Sequence, residues 1–261
     1  MQPLLATDRR LVIAHRGASG EAPENTVEAM VLALEQGADA LEFDVRLSAD
    51  GVPVVIHDPT LDRTTDRRGE VRRMTLAELQ AADAGYHSTF DGGRSYRWRG
   101  RNVRIPTLAD VLERFPETPL LVELKVVEAA EPVRSAIVAN GAAGRVLFGS
   151  FREEALRLLC DPPFFACAAQ GRIAGLRLRT ALGFRGSGGY PKAYAVPDYY
   201  RRRIEVPTPR FIRAAHALGC PVHVWTVNDP ARARILWNRG VNGIITNFPG
   251  LMAARRDAGR R

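Results

Sequence analysis

A closed eight-stranded β/α barrel of the TIM type is the fold that this 261-residue sequence predicts. Three observations predict it. Short apolar, β-rich runs alternate with helical patterns at Leu11–His15, Ala40–Leu47, Leu120–Val126, Val146–Ser150, Phe165–Ala169, Ala193–Pro197, Val222–Val227 and Gly243–Asn247, the rhythm of parallel β-α units. A ninth run, Val52–Asp58, follows the second after only a few residues. A parallel crossover needs about a dozen residues or more, so this run must return antiparallel and drops out of the barrel count. Finally, the length, with 46% hydrophobic and 25% charged residues, suits one domain spanning 1–261 that buries a core without staples.

The elements follow in order. The first run ends in His15-Arg16-Gly17. "ENTVEAMVLALEQG" predicts a helix: Asn25 can cap it, and Glu28 three residues later makes a capping-box pattern. Val27, Met30, Val31 and Leu34 form its apolar stripe, and Gly37 ends it. The second run leads through "SADG" into the return strand. A tight turn at Asp50-Gly51 would face Ala49 with Val52 and set His57 opposite Asp44. Residues 59–106 are a long stretch rich in glycine, arginine and aromatics, read either as an insertion beside one barrel face or as a mobile surface loop. Further helices fit "TLAELQAAD", "TLADVLERF", "EEALRLL", "TPRFIRAAHALG" and "DPARARILWNRG", the last of which closes on glycine. The tail "MAARRDAGRR" reads as solvated.

The net charge of +8 invites a nucleic-acid reading. The arginines are scattered, however, and no recognition motif accompanies them, so no nucleic-acid partner is expected; no obligate protein partner is evident either. Lys125 and Lys192 are the only lysines in an arginine-rich chain, which draws attention to a lysine inside an apolar strand. No run of about 18 apolar residues suggests a membrane span, and "MQPLLATDRR" does not resemble a secretory signal. Cys160, Cys167 and Cys220 form no pair pattern and fit a reducing compartment. A cytoplasmic location is the expectation.

Reactive groups of such barrels collect at the C-terminal ends of the strands. There stand His15 and Arg16, the "LEFDV" acids Glu42 and Asp44, and Glu123 with Lys125 in "VELK". Residues two apart on a strand share a face, so each pair points one way, inward or toward the helices. Three unpaired buried carboxylates would be very costly. They must either pair with arginines or hold a cation, and oxygen-only ligands favour Mg²⁺ or Ca²⁺ over zinc. His15 and His57 complete a set suited to phosphoryl chemistry, one imidazole taking a proton and the other giving one. Arg16 and Lys125 can hold a phosphate. Trp225 can shape the cavity. His216 and His223 read as satisfied core residues, while His87 has no assigned role. Ser150 lacks a nucleophile elbow, and the glycines of Arg185–Pro191 do not match a phosphate loop. Gly171–Gly186 mixes apolar residues with arginines and reads as a basic amphipathic patch in peripheral contact with lipid, or as a helix packed on the barrel.

"AHRGASGEAPENT", "GADALEFDVRLSADGVPVVIHDPTLDRTTDRRG", "PTLADVL", "VELK", "VHVWTVND" and "GVNGIITNFP" together resemble the glycerophosphodiester phosphodiesterase family from Leu11 to about Pro249. The resemblance implies a TIM barrel with an insertion and hydrolysis of glycerophosphodiesters to glycerol 3-phosphate and an alcohol. It implies a catalytic pair in His15 and His57, and a Ca²⁺ or Mg²⁺ ion on Glu42, Asp44 and Glu123. Arg16 and Lys125 would contact the phosphate, and Trp225 would line the pocket. It also admits attack by the substrate's own glycerol hydroxyl, through a cyclic phosphate. Asn242 and Asn247 stand where the family often has aspartate. "AYAVPDYYRRRIEVPTPRFIRAAH" is more loosely similar to relatives that cleave lysophospholipids at membranes as a lysophospholipase D.

Overall fold

The computed structural model describes residues 2–181 and 190–258. Its strands are β1 (Leu11–His15), β2 (Ala40–Leu47), β3 (Pro53–Val55), β4 (Leu120–Leu124), β5 (Val146–Gly149), β6 (Phe165–Ala166), β7 (Tyr194–Pro197), β8 (Tyr199–Tyr200), β9 (Ile204–Glu205), β10 (Val222–Trp225) and β11 (Gly243–Thr246). The helices are α1 (Val27–Glu35), α2 (Leu76–Gln80), α3 (Leu108–Arg114), α4 (Ala130–Ala139), α5 (Glu153–Leu156), α6 (Gln170–Ala181), α7 (Pro209–Ala217), α8 (Pro230–Asn238) and α9 (Pro249–Ala258). Eight strands pair in parallel in the order β6-β5-β4-β2-β1-β11-β10-β7. A parallel bridge between Cys167 and Ala193 joins the two ends, with the Ala168 N–H donating to the Ala193 carbonyl at 2.9 Å. The fold is the expected TIM barrel, and β3 pairs antiparallel with β2 outside its ring.

Alternation along the strands decides what faces the barrel interior. Leu41, Phe43 and Val45 of β2 pack with Met30 and Ala33 of α1 and Leu108 and Leu112 of α3 in the outer layer. Ala40 of the same strand joins Leu11, Ile13, Leu121, Leu147 and Ile245 in the inner cluster. Glu42 and Asp44 therefore point inward. The same alternation turns His15, Glu123 and Trp225 inward. The register sets His15 beside Glu42 and Asp44 beside Glu123. At the opposite end of the barrel, Leu4 plugs the interior, and its carbonyl accepts from His223 Nε2 at 2.8 Å. His216 bonds Asn242 Oδ1 at 2.8 Å, whereas the buried Nδ1 of His223 has no hydrogen-bond partner among the described residues.

Three local expectations need correction, and one open alternative is decided. The cap of α1 is Thr26, whose hydroxyl accepts from the Ala29 N–H; Asn25 is committed elsewhere. The hairpin closes through three residues, not two. Ser48 N–H donates to the Val52 carbonyl at 3.1 Å, and Leu47 pairs with Pro53. A two-residue type I′ turn needs positive φ at both central positions, and here Gly51 adopts it (φ +78°) while Asp50 does not. Ile56, bonded through its N–H to the Asp44 carbonyl, therefore stands level with Asp44, and His57 lies one residue farther on. The segment from residue 59 to 106 is no loose loop. Leu61, Val71, Leu79, Val103 and Ile105 are buried together against Val54 and Ile56, and Thr75 and Glu78 close a full capping box on α2. The tail is not merely solvated: it begins as α9, buries Met252 and pairs Arg256 with Asp39.

Among the described residues no helix is long and apolar enough to cross a membrane, and the three cysteines are free. Burial lowers the pKa of His223 from 6.5 to about 4. The unfolded chain thus binds the extra proton first, so stability falls as pH drops from 6.5 toward 4. This one group accounts for about 3 kcal/mol of that loss. Denaturant unfolding across this pH range should show a shallower acid slope for His223→Gln than for the native chain.

Candidate active site

β1 delivers His15 to the barrel mouth and then has to leave it. Arg16 and Gly17 both take left-handed conformations (φ +57° and +78°). A Cβ on Gly17 would lie 2.5 Å from the Ala29 carbonyl carbon, so this turn demands glycine on two counts. The turn brings the Arg16 N–H to Glu42, 2.7 Å from its carbonyl and 3.1 Å from Oε2. Asn25, also left-handed at φ +60°, donates its N–H back to the Arg16 carbonyl at 3.0 Å.

Glu42, Asp44 and Glu123 each offer a carboxylate oxygen within 4.8 Å of the others. Asp44 is 1% exposed and heavily partnered. Its Oδ2 is 2.9 Å from Arg16 Nε and accepts from Asn25 Nδ2 at 3.0 Å, while Lys125 Nζ lies 2.8 Å from Oδ1. Burial opposes ionisation of Asp44, but Lys125 and Arg16 outweigh it and hold the carboxyl below its ordinary value. Lys125 also donates to Glu123 Oε1 at 2.6 Å. Burial, opposed by Lys125 and reinforced by Asp44, raises the Glu123 carboxyl. Among the described residues the ionic partner of Glu42 is His15, with Nε2 4.0 Å from Oε2. Burial and the neighbouring charges of Asp44 and Glu123 push Glu42 well above the usual carboxylate range. Pairing with cations thus accounts for Asp44, partly for Glu123, and hardly for Glu42.

The two histidines are held differently. His15 Nδ1 lies 2.7 Å from Asn247 Oδ1. Burial and then the Arg16 charge lower its pKa to about 4, which leaves the ring neutral near pH 7. His57 Nδ1 lies 2.6 Å from Asp58 Oδ1, and the backbone carbonyl of His57 accepts from Arg46 Nε at 2.8 Å. His15, Arg16, Glu42, His57, Glu123, Lys125 and Trp225 all line one cavity of about 810 Å³. Asp44 touches this set from beneath. Trp225 packs edge-on to Phe151, with ring centroids 5.9 Å apart.

All eight residues singled out in the sequence thus meet at one mouth, with one qualification. The Arg16 guanidinium is already engaged by Asp44 and by Glu24 Oε1 at 2.8 Å. Sequence reasoning missed Asn25, Asp58, Glu24 and Arg63 as partners of the site. Asn247, noted only as a departure from aspartate, turns out to anchor His15. Ser150 is spent on the Leu124 carbonyl at 2.9 Å. The glycine-rich stretch before Tyr190 and the end of the Gly171–Gly186 patch lie outside the described residues.

Acids, cations and two histidines gathered at the mouth of a TIM barrel make a site of the phosphoric diester hydrolase class. The chain belongs to the glycerophosphoryl diester phosphodiesterase family, whose sequence profile matches residues 15–158 and 188–251. It is 31% identical to a glycerophosphodiester phosphodiesterase of Bacillus subtilis (strain 168), over 95% of this chain and 87% of that one. Among solved structures, it is 32% identical to a glycerophosphodiester phosphodiesterase from Agrobacterium tumefaciens str. C58, covering 94% of this chain and 99% of that one with a TM-score of 0.75. An Oleispira antarctica phosphodiesterase solved in complex with the product sn-glycerol-3-phosphate also gives a TM-score of 0.75, at 28% identity over 95% and 97% of the two chains.

Gly17→Ala should destabilise the fold by at least about 2 kcal/mol, since it adds both a left-handed side chain and a backbone clash. Equilibrium denaturation measures this directly; a variant as stable as the native chain would show that the turn relaxes.

Proposed function

We propose that this enzyme hydrolyses glycerophosphodiesters to glycerol 3-phosphate and an alcohol, with a divalent cation and with His15 and His57 as proton carriers. The observation that carries the reading is the convergence of three carboxylate oxygens within 4.8 Å beside two histidines of one cavity. The donor set fits a hard cation: all three ligands are oxygens, and Glu42 lacks a close lysine or arginine. Glu42, Asp44 and Glu123 would hold Mg²⁺ or Ca²⁺. Such an ion supplies positive charge against the phosphate oxygens.

The chain's own groups do the rest. The Asn247 side-chain Oδ1 accepts from His15 Nδ1, which leaves Nε2 as the ring's basic atom, and the neutral ring is ready to take a proton from an attacking hydroxyl. Asp58 accepts from His57 Nδ1, so when the ring carries a second proton it presents that proton on Nε2, where it can pass to a leaving oxygen. Lys125 and Arg16 add positive charge at the cavity floor for the phosphate. Trp225 and Phe151 form an apolar wall for the remainder of the substrate. A cytoplasmic setting agrees with three unpaired cysteines.

Glycerophosphocholine incubated with the protein should release glycerol 3-phosphate. A chelator should stop the reaction, and added Mg²⁺ or Ca²⁺ should restore it. His15→Ala and His57→Ala should each lower kcat by about 10² to 10⁴. Full turnover in chelator, or in His15→Ala, would overturn the mechanism.

A second reading, lysophospholipase D action at a membrane, has one observation in its favour. Phe151, Leu178, Tyr199, Tyr200 and Ile204 are exposed large hydrophobic residues, and all of them line the cavity beside Arg177 and Arg201. The relatives named above are glycerophosphodiester phosphodiesterases, which supports glycerophosphodiesters as the substrate class. Micellar lysophosphatidylcholine should accordingly turn over more slowly than glycerophosphocholine, and the reverse order would make the second reading the better one.

A further inference from the structure

His15 and His57 are not equally supported by the backbone. His15 closes a barrel strand paired on both sides, to β2 and β11. His57 lies two residues beyond β3, a three-residue strand paired with β2 on one side and held on the other by a single bridge from Val54 to Thr107. Its side chain is 34% exposed against 18% for His15. The orientation of its ring must therefore come from side chains.

One guanidinium organises those side chains. Arg63 Nε donates to Asp58 Oδ2 at 2.6 Å, and its NH2 lies 3.2 Å from Asp58 Oδ1. The other edge of the same fork grips Glu24, NH1 to Oε2 at 2.7 Å and NH2 to Oε1 at 2.8 Å. Glu24 lies between β1 and α1 and is itself held by Arg16 NH1 at 2.8 Å. Arg63 thus ties the loop after β3 to the loop after β1 through two bidentate pairs, a geometry that a lysine cannot reproduce. With both Asp58 oxygens fixed, Oδ1 has one direction in which to meet His57 Nδ1.

We propose that Arg63 is a positioning residue, which locks Asp58 and through it holds His57 in the single ring orientation and tautomer that leaves Nε2 for the substrate. This rests on the reading that His57 exchanges a proton with a substrate oxygen. The pairing with Arg63 and His57 also keeps the Asp58 carboxyl down at about 2, so the carboxylate remains an acceptor throughout the working range. Glu24, shared by Arg16 and Arg63, makes the clamp continuous with the acid cluster.

The test compares Arg63→Ala and Arg63→Lys with the native enzyme on glycerophosphocholine, alongside His57→Ala. Arg63→Ala should lower kcat by about 10- to 100-fold with KM changed less than about threefold. Arg63→Lys, which keeps charge but not the fork, should recover only a small part of that loss. Because Arg63 is half exposed, added guanidinium ion at non-denaturing concentration should rescue Arg63→Ala and leave His57→Ala inactive. Nitrogen-15 NMR of the histidine rings should show His57 losing its single-tautomer signature in Arg63→Ala while His15 keeps its own. Asp58→Asn, should Arg63→Ala fail to fold, ought to give the same kcat loss without guanidinium rescue. Unchanged kcat and an unchanged His57 signature in Arg63→Ala, with His57→Ala inactive, would overturn the clamp alone. A fully active His57→Ala would instead overturn the proposed function on which it rests.

Discussion

The barrel mouth has to hold three carboxylates within a single ion's reach, and most of what surrounds them answers that demand. Like charges this close cannot all ionise in a desolvated setting without compensation. The fold answers unevenly. Asp44, the most deeply placed, receives Arg16, Lys125 and Asn25 and stays ionised. Glu42 receives little and is driven toward its neutral form. That imbalance is poor for stability, since a buried charge cluster rarely matches an apolar core. It suits a site whose last positive charge arrives from outside.

The same demand explains the odd backbone around the first strand. Arg16 can reach Asp44 with its side chain and Glu42 with its N–H only because the chain turns left-handed there. Gly17 and Asn25 complete the reversal, one by lacking a side chain and the other by lending its amide to Asp44. Local strain at Arg16 and Asn25 is thus offset by ion pairs and hydrogen bonds to the acids. The loop and the acid cluster stabilise one another, and neither is complete without the other.

How much of this could be read in the chain depends on the range of the interaction. Apolar runs with alternating acids identified β1, β2 and β4 and put Glu42, Asp44 and Glu123 on one face, because a strand's period is local and strict. The hairpin register differs by one residue because the two-residue turn needs Asp50 to join Gly51 at positive φ, and Asp50, whose carboxylate accepts from the Leu76 N–H at 3.0 Å, does not. Asn25 looked like a cap because it is one residue from the true cap, Thr26, and cap chemistry does not distinguish them. Asn247 and Arg63 were invisible as partners: they lie 232 residues from His15 and 39 from Glu24, and nothing in their own surroundings announces the contact. Strand chemistry was legible, while the groups that orient the histidines were not.

The ring of strands is not uniformly strong. β6 has only two residues and meets its neighbour β7 through the Cys167–Ala193 bridge, whereas β1 and β2, diametrically opposite in the ring, are long and paired on both sides. The cylinder therefore has a seam, and the seam runs beneath the apolar wall of the cavity, while the acids sit on the stiff side. Breathing there would widen or narrow the room for the bulky end of a ligand without disturbing the spacing of the carboxylates. One wall can drift through evolution, or flex in a single molecule, and leave the chemistry where it is.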